Sequence, residues 1–164
     1  MTTDLASTAR GPVLVLAAVV AALQAGTYFT WATGVMPGLA RVDDRTFVST
    51  MQHVNVAIVN PVFLTTFVAA PLLAGTTAVV GGSPARGWAV AATALAIGTV
   101  AITAAGNVPL NDALAAAGAV DAIPDLASVR ADFESRWVLL NIARCVTSAG
   151  AVACLAAAGL RTSG

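Results

Sequence analysis

Four long stretches of the chain are almost wholly apolar, and the polar residues within them recur at helical spacing. No charged residue stands between Arg10 and Arg41, only His53 interrupts the run from Arg45 to Arg86, and none lies between Arg86 and Asp112. Each gap exceeds the roughly 20 apolar residues that cross a hydrocarbon core. A fourth stretch, Trp137 to Leu160, is interrupted once, by Arg144. The pattern predicts helices over about 12–35, 44–80, 85–106 and 124–160,. The expected fold class is all-α: a single polytopic membrane domain, residues 1–164, built as a four-helix transmembrane bundle.

Turn chemistry supports these limits. Pro12 suits a first helical turn and Pro37-Gly38 closes the far end,. Gly81-Gly82-Ser83-Pro84 reads as a turn, and Gly106-Asn107-Val108-Pro109 ends the third helix, with a short helix near Asn111 to Ala117,. Pro61 and Pro71 are expected to kink the second helix near Ala57 and Phe67, and Pro124 to start the last,. At 1.5 Å per residue the second and fourth helices each reach roughly 55 Å, so both overshoot the membrane on one side. The first apolar run is longer than the core of a secretory signal and reads as a retained helix.

Composition agrees: 58% of residues are hydrophobic and 10% charged, with mean hydropathy +0.85. Net charge is zero and no basic cluster exists, so nucleic acid has no electrostatic footprint here,. The expected partner is the lipid bilayer, in a bacterial cytoplasmic membrane with cytoplasmic termini; a homo-oligomer is compatible with the chain. Cys145 and Cys154 fall on opposite faces of one helix, and with a single histidine the chain lacks the ligands of a protein-only zinc site,.

Polar groups at membrane depth are costly and by default mark a site. His53 and Asn60 are seven residues apart, nearly eclipsed on one helical face, while Asn55 points elsewhere,. They read either as hydrogen-bonding glue between helices or, for His53, as a general base near neutral pH. In the fourth helix Arg130, Glu134, Trp137, Asn141, Arg144 and Ser148 follow by steps of four, three, four, three and four, one stripe that must face protein or water,. Arg144 reads as ligand-facing or structural, and Arg130 with Glu134 as a solvated i,i+4 pair. Asn107 and Asn111 suit either capping or donation to a substrate oxygen. Gln24, Tyr28 and Trp31 share one face of the first helix; Gly26, Thr30 and Thr33 share another that suits close helix packing,.

The ordered series Met36-Pro37-Gly38-Leu39, Phe47 through Met51-Gln52-His53-Val54-Asn55, Asn60-Pro61-Val62-Phe63, Gly106-Asn107-Val108-Pro109-Leu110-Asn111, and Arg130 through Phe133-Glu134-Ser135-Arg136-Trp137 to Asn141 and Arg144 resembles the anthrone oxygenase-like family of small four-helix membrane proteins. The resemblance spans about residues 26–148. It implies oxidation of a lipophilic aromatic, anthrone-like polyketide to a quinone, with dioxygen as co-substrate and no classical cofactor. On that reading His53 is the base, and Asn55, Asn107, Asn111 and Arg144 hold carbonyl or phenolate oxygens. Trp137, Phe63 and Tyr28 pack on the rings, and Asn60, Asn141 and Glu134 complete the candidate set. Haem or a metal on His53 is the cofactor-dependent alternative, with one protein ligand giving it little support. The alternative of another class is a non-enzymatic membrane protein that binds or passes a small lipophilic molecule. Alternating-access transport lacks the inverted repeat it usually shows.

Overall fold

The computed structural model describes the backbone of residues 2–162 and the side chains of residues 8–161. Within them run seven α-helices: α1 Thr2–Thr30, α2 Met36–Leu39, α3 Asp44–Ala57, α4 Pro61–Val80, α5 Ser83–Ile102, α6 Val108–Ala116 and α7 Leu126–Thr162. One π-turn, Trp31–Val35, carries α1 into α2, and a second, Thr103–Asn107, carries α5 into α6. Four continuous segments are long and apolar enough to cross a membrane: Thr8–Leu39, Pro61–Val80, Ser83–Ala116 and Leu126–Arg161. The chain is an all-helical, polytopic bundle, with α1 and α5 each packed on both α4 and α7.

Small residues build the interior of the ring. Ala17, Ala21, Ala74, Ala92 and Leu155 form one buried cluster, and Ala85, Ala89 and Ala96 line α5 on the same face. In lipid the hydrophobic effect does not separate a buried side chain from one facing acyl tails, so close backbone approach and interhelical hydrogen bonds hold the bundle. Such bonds join the Thr99 and Thr147 hydroxyls at 2.7 Å and run from Gln24 Nε2 to Thr66 Oγ1 at 2.6 Å. Near the termini Arg10 donates to the Val80 carbonyl at 2.7 Å, satisfying the last turn of α4,.

The other end of the bundle carries a cap. Met36, Phe47, Val48, Met51, Leu114, Ile123, Phe133 and Trp137 form its apolar core, drawn from α2, α3, α6, the connection before α7 and the N-terminal third of α7. The 37 residues of α7 reach roughly 55 Å against a hydrocarbon core of about 30 Å, so its N-terminal turns extend into this cap,. Asp43 starts α3, its carboxylate accepting from the Thr46 N–H at 2.9 Å and the Thr46 hydroxyl at 2.7 Å. Those bonds favour the charged form and hold the Asp43 carboxyl below the ordinary carboxylate range,. Gln52 donates to the Leu114 and Gly118 carbonyls at the end of α6, where Gly118 turns the chain with φ +88°,.

Arg130 is the pin of the cap, and the expectation of a solvated pair with Glu134 is corrected here. Its side chain is only 13% exposed. It donates to Glu134 at 2.7 Å, to Asp44 at 3.0 Å and to the Val42 and Leu39 carbonyls, and it lies 4.5 Å from the centre of the Phe47 ring. One guanidinium thus fastens the α2–α3 turn to α7. The geometry needs the planar fork of five donors, which Lys lacks.

Helix limits differ from the sequence expectation at two prolines for one reason. Pro37 and Pro109 were expected to stop helices, yet the chain stays helical through both. A proline ring clashes with the carbonyl four residues earlier, here Thr33 and Ala105. Both carbonyls lie inside π-turns, whose wider bore makes room for the ring,. Pro61 instead falls at the first position of α4 behind a break at Ile58–Asn60, so the second helix, expected to kink near Ala57, is there divided into two. Pro71 sits within α4 without interrupting it. The Gly26, Thr30 and Thr33 face was expected to pack closely, but all three are exposed and the two hydroxyls bond to their own helix.

Candidate functional site

Where the cap meets the bundle, a partly open cavity of about 180 Å³ lies between α1, the α3–α4 break, the second π-turn and α7. One water needs about 10–15 Å³, so this space is on the scale of a small organic molecule. Both π-turns contribute to it directly, the first through Trp31 and the second through Thr103 and Asn107. Its rim includes Val59, Leu64 and Val108, which are 64%, 43% and 42% exposed, so the mouth is apolar. A mouth of that kind admits a lipid-soluble ligand without a polar vestibule.

Aromatic rings form the walls. Trp31 and Trp137 meet at 5.3 Å between centroids, and Phe63 stacks on Phe67 at 5.7 Å. Trp137 is held from both ends: its indole N–H donates to Asn111 Oδ1 at 3.0 Å, and its carbonyl accepts a long bond from Asn107 Nδ2 at 3.5 Å.

Arg144 forms the polar floor. It is 7% exposed, and no carboxylate stands within ion-pair reach of it among the described residues. Its guanidinium lies 4.7 Å from the Tyr28 ring centre and 5.3 Å from that of Trp137, so two π faces replace part of its hydration,. Asn141 Oδ1 accepts from Nη2 at 2.9 Å, and Asn141 is itself oriented by donating to the Tyr28 carbonyl at 3.1 Å. Tyr28 donates in turn to Gln24 Oε1 at 2.8 Å. The guanidinium is therefore fixed through α1 and α7 before any ligand arrives, the preorganisation that electrostatic stabilisation requires.

Three buried polar atoms in this site have no partner: Arg144 Nε, Asn55 Nδ2 and Asn107 Oδ1. An unmet buried polar group costs about 1–3 kcal/mol, so three at one cavity are unusual in a satisfied scaffold. Two are N–H donors and one is an acceptor, and all belong to residues that line the cavity.

Of the residues singled out from the sequence, Tyr28, Asn55, Phe63, Asn107, Asn111, Trp137, Asn141 and Arg144 converge on this cavity. His53, Asn60 and Glu134 do not. His53 is exposed, with Nδ1 2.7 Å from the Ser49 carbonyl of its own helix. Asn60 caps α4, its Oδ1 accepting from the Phe63 N–H at 3.0 Å. Glu134 binds Arg130 and borders a separate surface depression with Met36 and Pro37. The shared face of His53 and Asn60 assumed a continuous helix, and the break after Ala57 removes it. Trp31, Phe67 and Thr103 were missed as site residues; Trp31 shares a helical face with Tyr28, a signal that was present in the sequence.

The family model described as anthrone oxygenase matches residues 49–154, well over half of the chain. No curated protein and no solved structure matches it.

Proposed function

Because the chain belongs to the anthrone oxygenase family, we propose that its cavity binds a lipophilic aromatic ketone of the anthrone type and promotes its oxidation by dioxygen to a quinone. The observation that carries this reading is the unpaired set of Arg144 Nε, Asn55 Nδ2 and Asn107 Oδ1 within a wall of aromatic rings. Loss of a proton from the CH₂ flanked by the aryl rings moves negative charge onto the ketone oxygen. Arg144 and Asn55 donate to that oxygen and favour the enolate, while Trp31, Trp137 and Phe63 hold the ring plane. Dioxygen then adds at the carbanionic carbon, and the resulting hydroperoxide loses water to give the second carbonyl. One CH₂ and one O₂ yield one C=O and one H₂O, so no further reductant is needed.

Among the described residues the cavity lining holds no imidazole or carboxylate, so the catalytic power is assigned to stabilisation of the enolate, with solvent water as the final proton acceptor. Oxygen uptake and quinone absorbance, followed together on the purified protein with an anthrone, test this. The expected result is one O₂ consumed per quinone formed, with His53→Ala retaining wild-type rates within a few-fold. Loss of about 10²–10⁴ in His53→Ala would restore the histidine as general base and refute the proposed route.

The same absence of a lining base favours a second reading, a binding protein that holds the ligand without turnover. Quenching of Trp31 and Trp137 fluorescence by the anthrone, in a Trp88→Phe background and with no oxygen uptake, would select it.

A further inference from the structure

One helical turn from the ligand cavity, farther from the cap, the bundle holds a second, smaller, partly open space of about 20 Å³ lined mostly by buried residues. The offset is visible in the chain: on α1 Tyr28 borders the cavity and Gln24 the void, and on α7 Arg144 borders the cavity and Ser148 the void. Four residues correspond to about 6 Å along a helix axis. Phe67 borders both spaces and is the partition between them.

The lining is mainly methyl groups, from Ala21, Ala70, Ala96 and Ala151, with Phe67 and Val100. Three polar residues also touch it, yet each is already engaged elsewhere. Gln24 donates to Thr66 and accepts from Tyr28, Thr99 shares its hydroxyl with Thr147 and the Leu95 carbonyl, and Ser148 donates to the Arg144 carbonyl at 2.6 Å. A buried water typically makes two to four hydrogen bonds to otherwise unmet groups, and none of the three residues leaves a side-chain atom buried without a partner,. Voids of that character stay dry and take up small apolar guests. At about 20 Å³ the space is too small for an acyl chain or a ring.

We propose that this void is a dioxygen site, which holds the gas behind Phe67 next to the bound aromatic ring. The assignment of dioxygen as its physiological guest rests on the oxygenase reading above; the affinity of the void for a small apolar gas does not. Dioxygen dissolves well in lipid, and the void lies among the membrane-spanning helices rather than in the cap. Its alanines keep a diatomic guest within a side chain's width of the ring-binding cavity. Small side chains at positions 70, 96 and 151 therefore serve gas binding as well as helix packing.

The test uses the full chain in lipid nanodiscs with ¹³C-labelled alanine methyls and no substrate. Under dioxygen pressure, paramagnetic relaxation of the Ala70, Ala96 and Ala151 methyls is expected to exceed, several-fold, that of Ala17 and Ala92, which are buried in the same bundle but do not line the void. Equal relaxation across the five methyls, or a bound water detected at the void, would overturn the proposal. A second arm fills the void with Ala96→Val or, if that variant does not fold, Ala151→Val. The KM for dioxygen is expected to rise several-fold while the KM for the anthrone stays at its wild-type value; a rise in both, or in neither, would count against the site. If the wild-type protein fails to oxidise an anthrone but the relaxation pattern appears, the oxygenase reading falls and the gas site stands. Turnover without the pattern has the opposite meaning.

Discussion

Arg144→Met is expected to leave the protein folded and no less stable while lowering turnover, or ligand affinity, by about a hundredfold or more. The two effects have separate sources. Placing an arginine at membrane depth costs about 2.5–3.5 kcal/mol on insertion scales, and no described carboxylate repays it,. Against the relief on its removal stand two ring contacts, together roughly 1–2 kcal/mol, and the loss of a partner by Asn141 Oδ1, roughly 1 kcal/mol,. These terms nearly cancel. Function has no such compensation, since removing one preorganised donor from a developing oxyanion costs about 10²–10³ in rate. Unfolding by SDS titration should occur at the wild-type concentration or above it, alongside near-complete loss of quinone formation. A variant that fails to accumulate in the membrane would instead make Arg144 a structural residue.

Arg130→Ala is expected to do the reverse, destabilising the cap by about 2 kcal/mol, less than the loss of one partner of a fully buried pair because Asp44 and Glu134 stay partly exposed,. Arg130 holds Glu134, Asp44 and two carbonyls of the α2–α3 turn, so the variant leaves all of them unmatched at once. The cap also closes the cavity through Trp137, whose ring stacks on Phe133 in the same apolar cluster. SDS titration should show the loss directly, and turnover should recover in part at low temperature, where the cap re-forms. Arg130→Lys should rescue little, because a point charge cannot reach the four acceptors together. Full stability in Arg130→Ala would show that the cap is held by its apolar core alone.

The two arginines show how much of this protein is legible in its sequence. The four spans, the overshoot of the last helix and its polar stripe follow from spacing alone, and the structure extends the buried stripe from Trp137 through Asn141, Arg144 and Ser148 to Ala151, Leu155 and Ala158. Periodicity on one long helix survives folding because nothing interrupts its phase. Distinguishing Arg130 from Arg144 does not follow from spacing. Both lie on the stripe, and only the packing of α2 and α3 supplies acceptors to the first and none to the second. The π-turns were illegible for a related reason. Pro37 and Pro109 carry the same local signal as helix stops, and a change to i→i+5 bonding pays only where neighbours hold the chain helical on both sides,. The shared face of His53 and Asn60 depends on helix continuity across Ile58–Asn60, and spacing alone does not show that the chain breaks there.

Family membership and cavity chemistry meet in the central proposal, that a flat aromatic ketone binds against Trp31, Trp137 and Phe63 with its oxygen at Arg144. Photolabelling tests it most directly, because an excited aryl ketone such as anthraquinone abstracts hydrogen from the C–H bonds nearest its oxygen and bonds there. The protein in nanodiscs would be irradiated with anthraquinone and the adducts mapped by mass spectrometry. The expected result is labelling confined to Tyr28, Phe63, Asn107 and the Trp137–Arg144 turn, suppressed by excess anthrone and lost in Arg144→Met. Adducts on His53, or spread over outward-facing residues such as Val15, Leu72 and Val146 with no competition by anthrone, would contradict it.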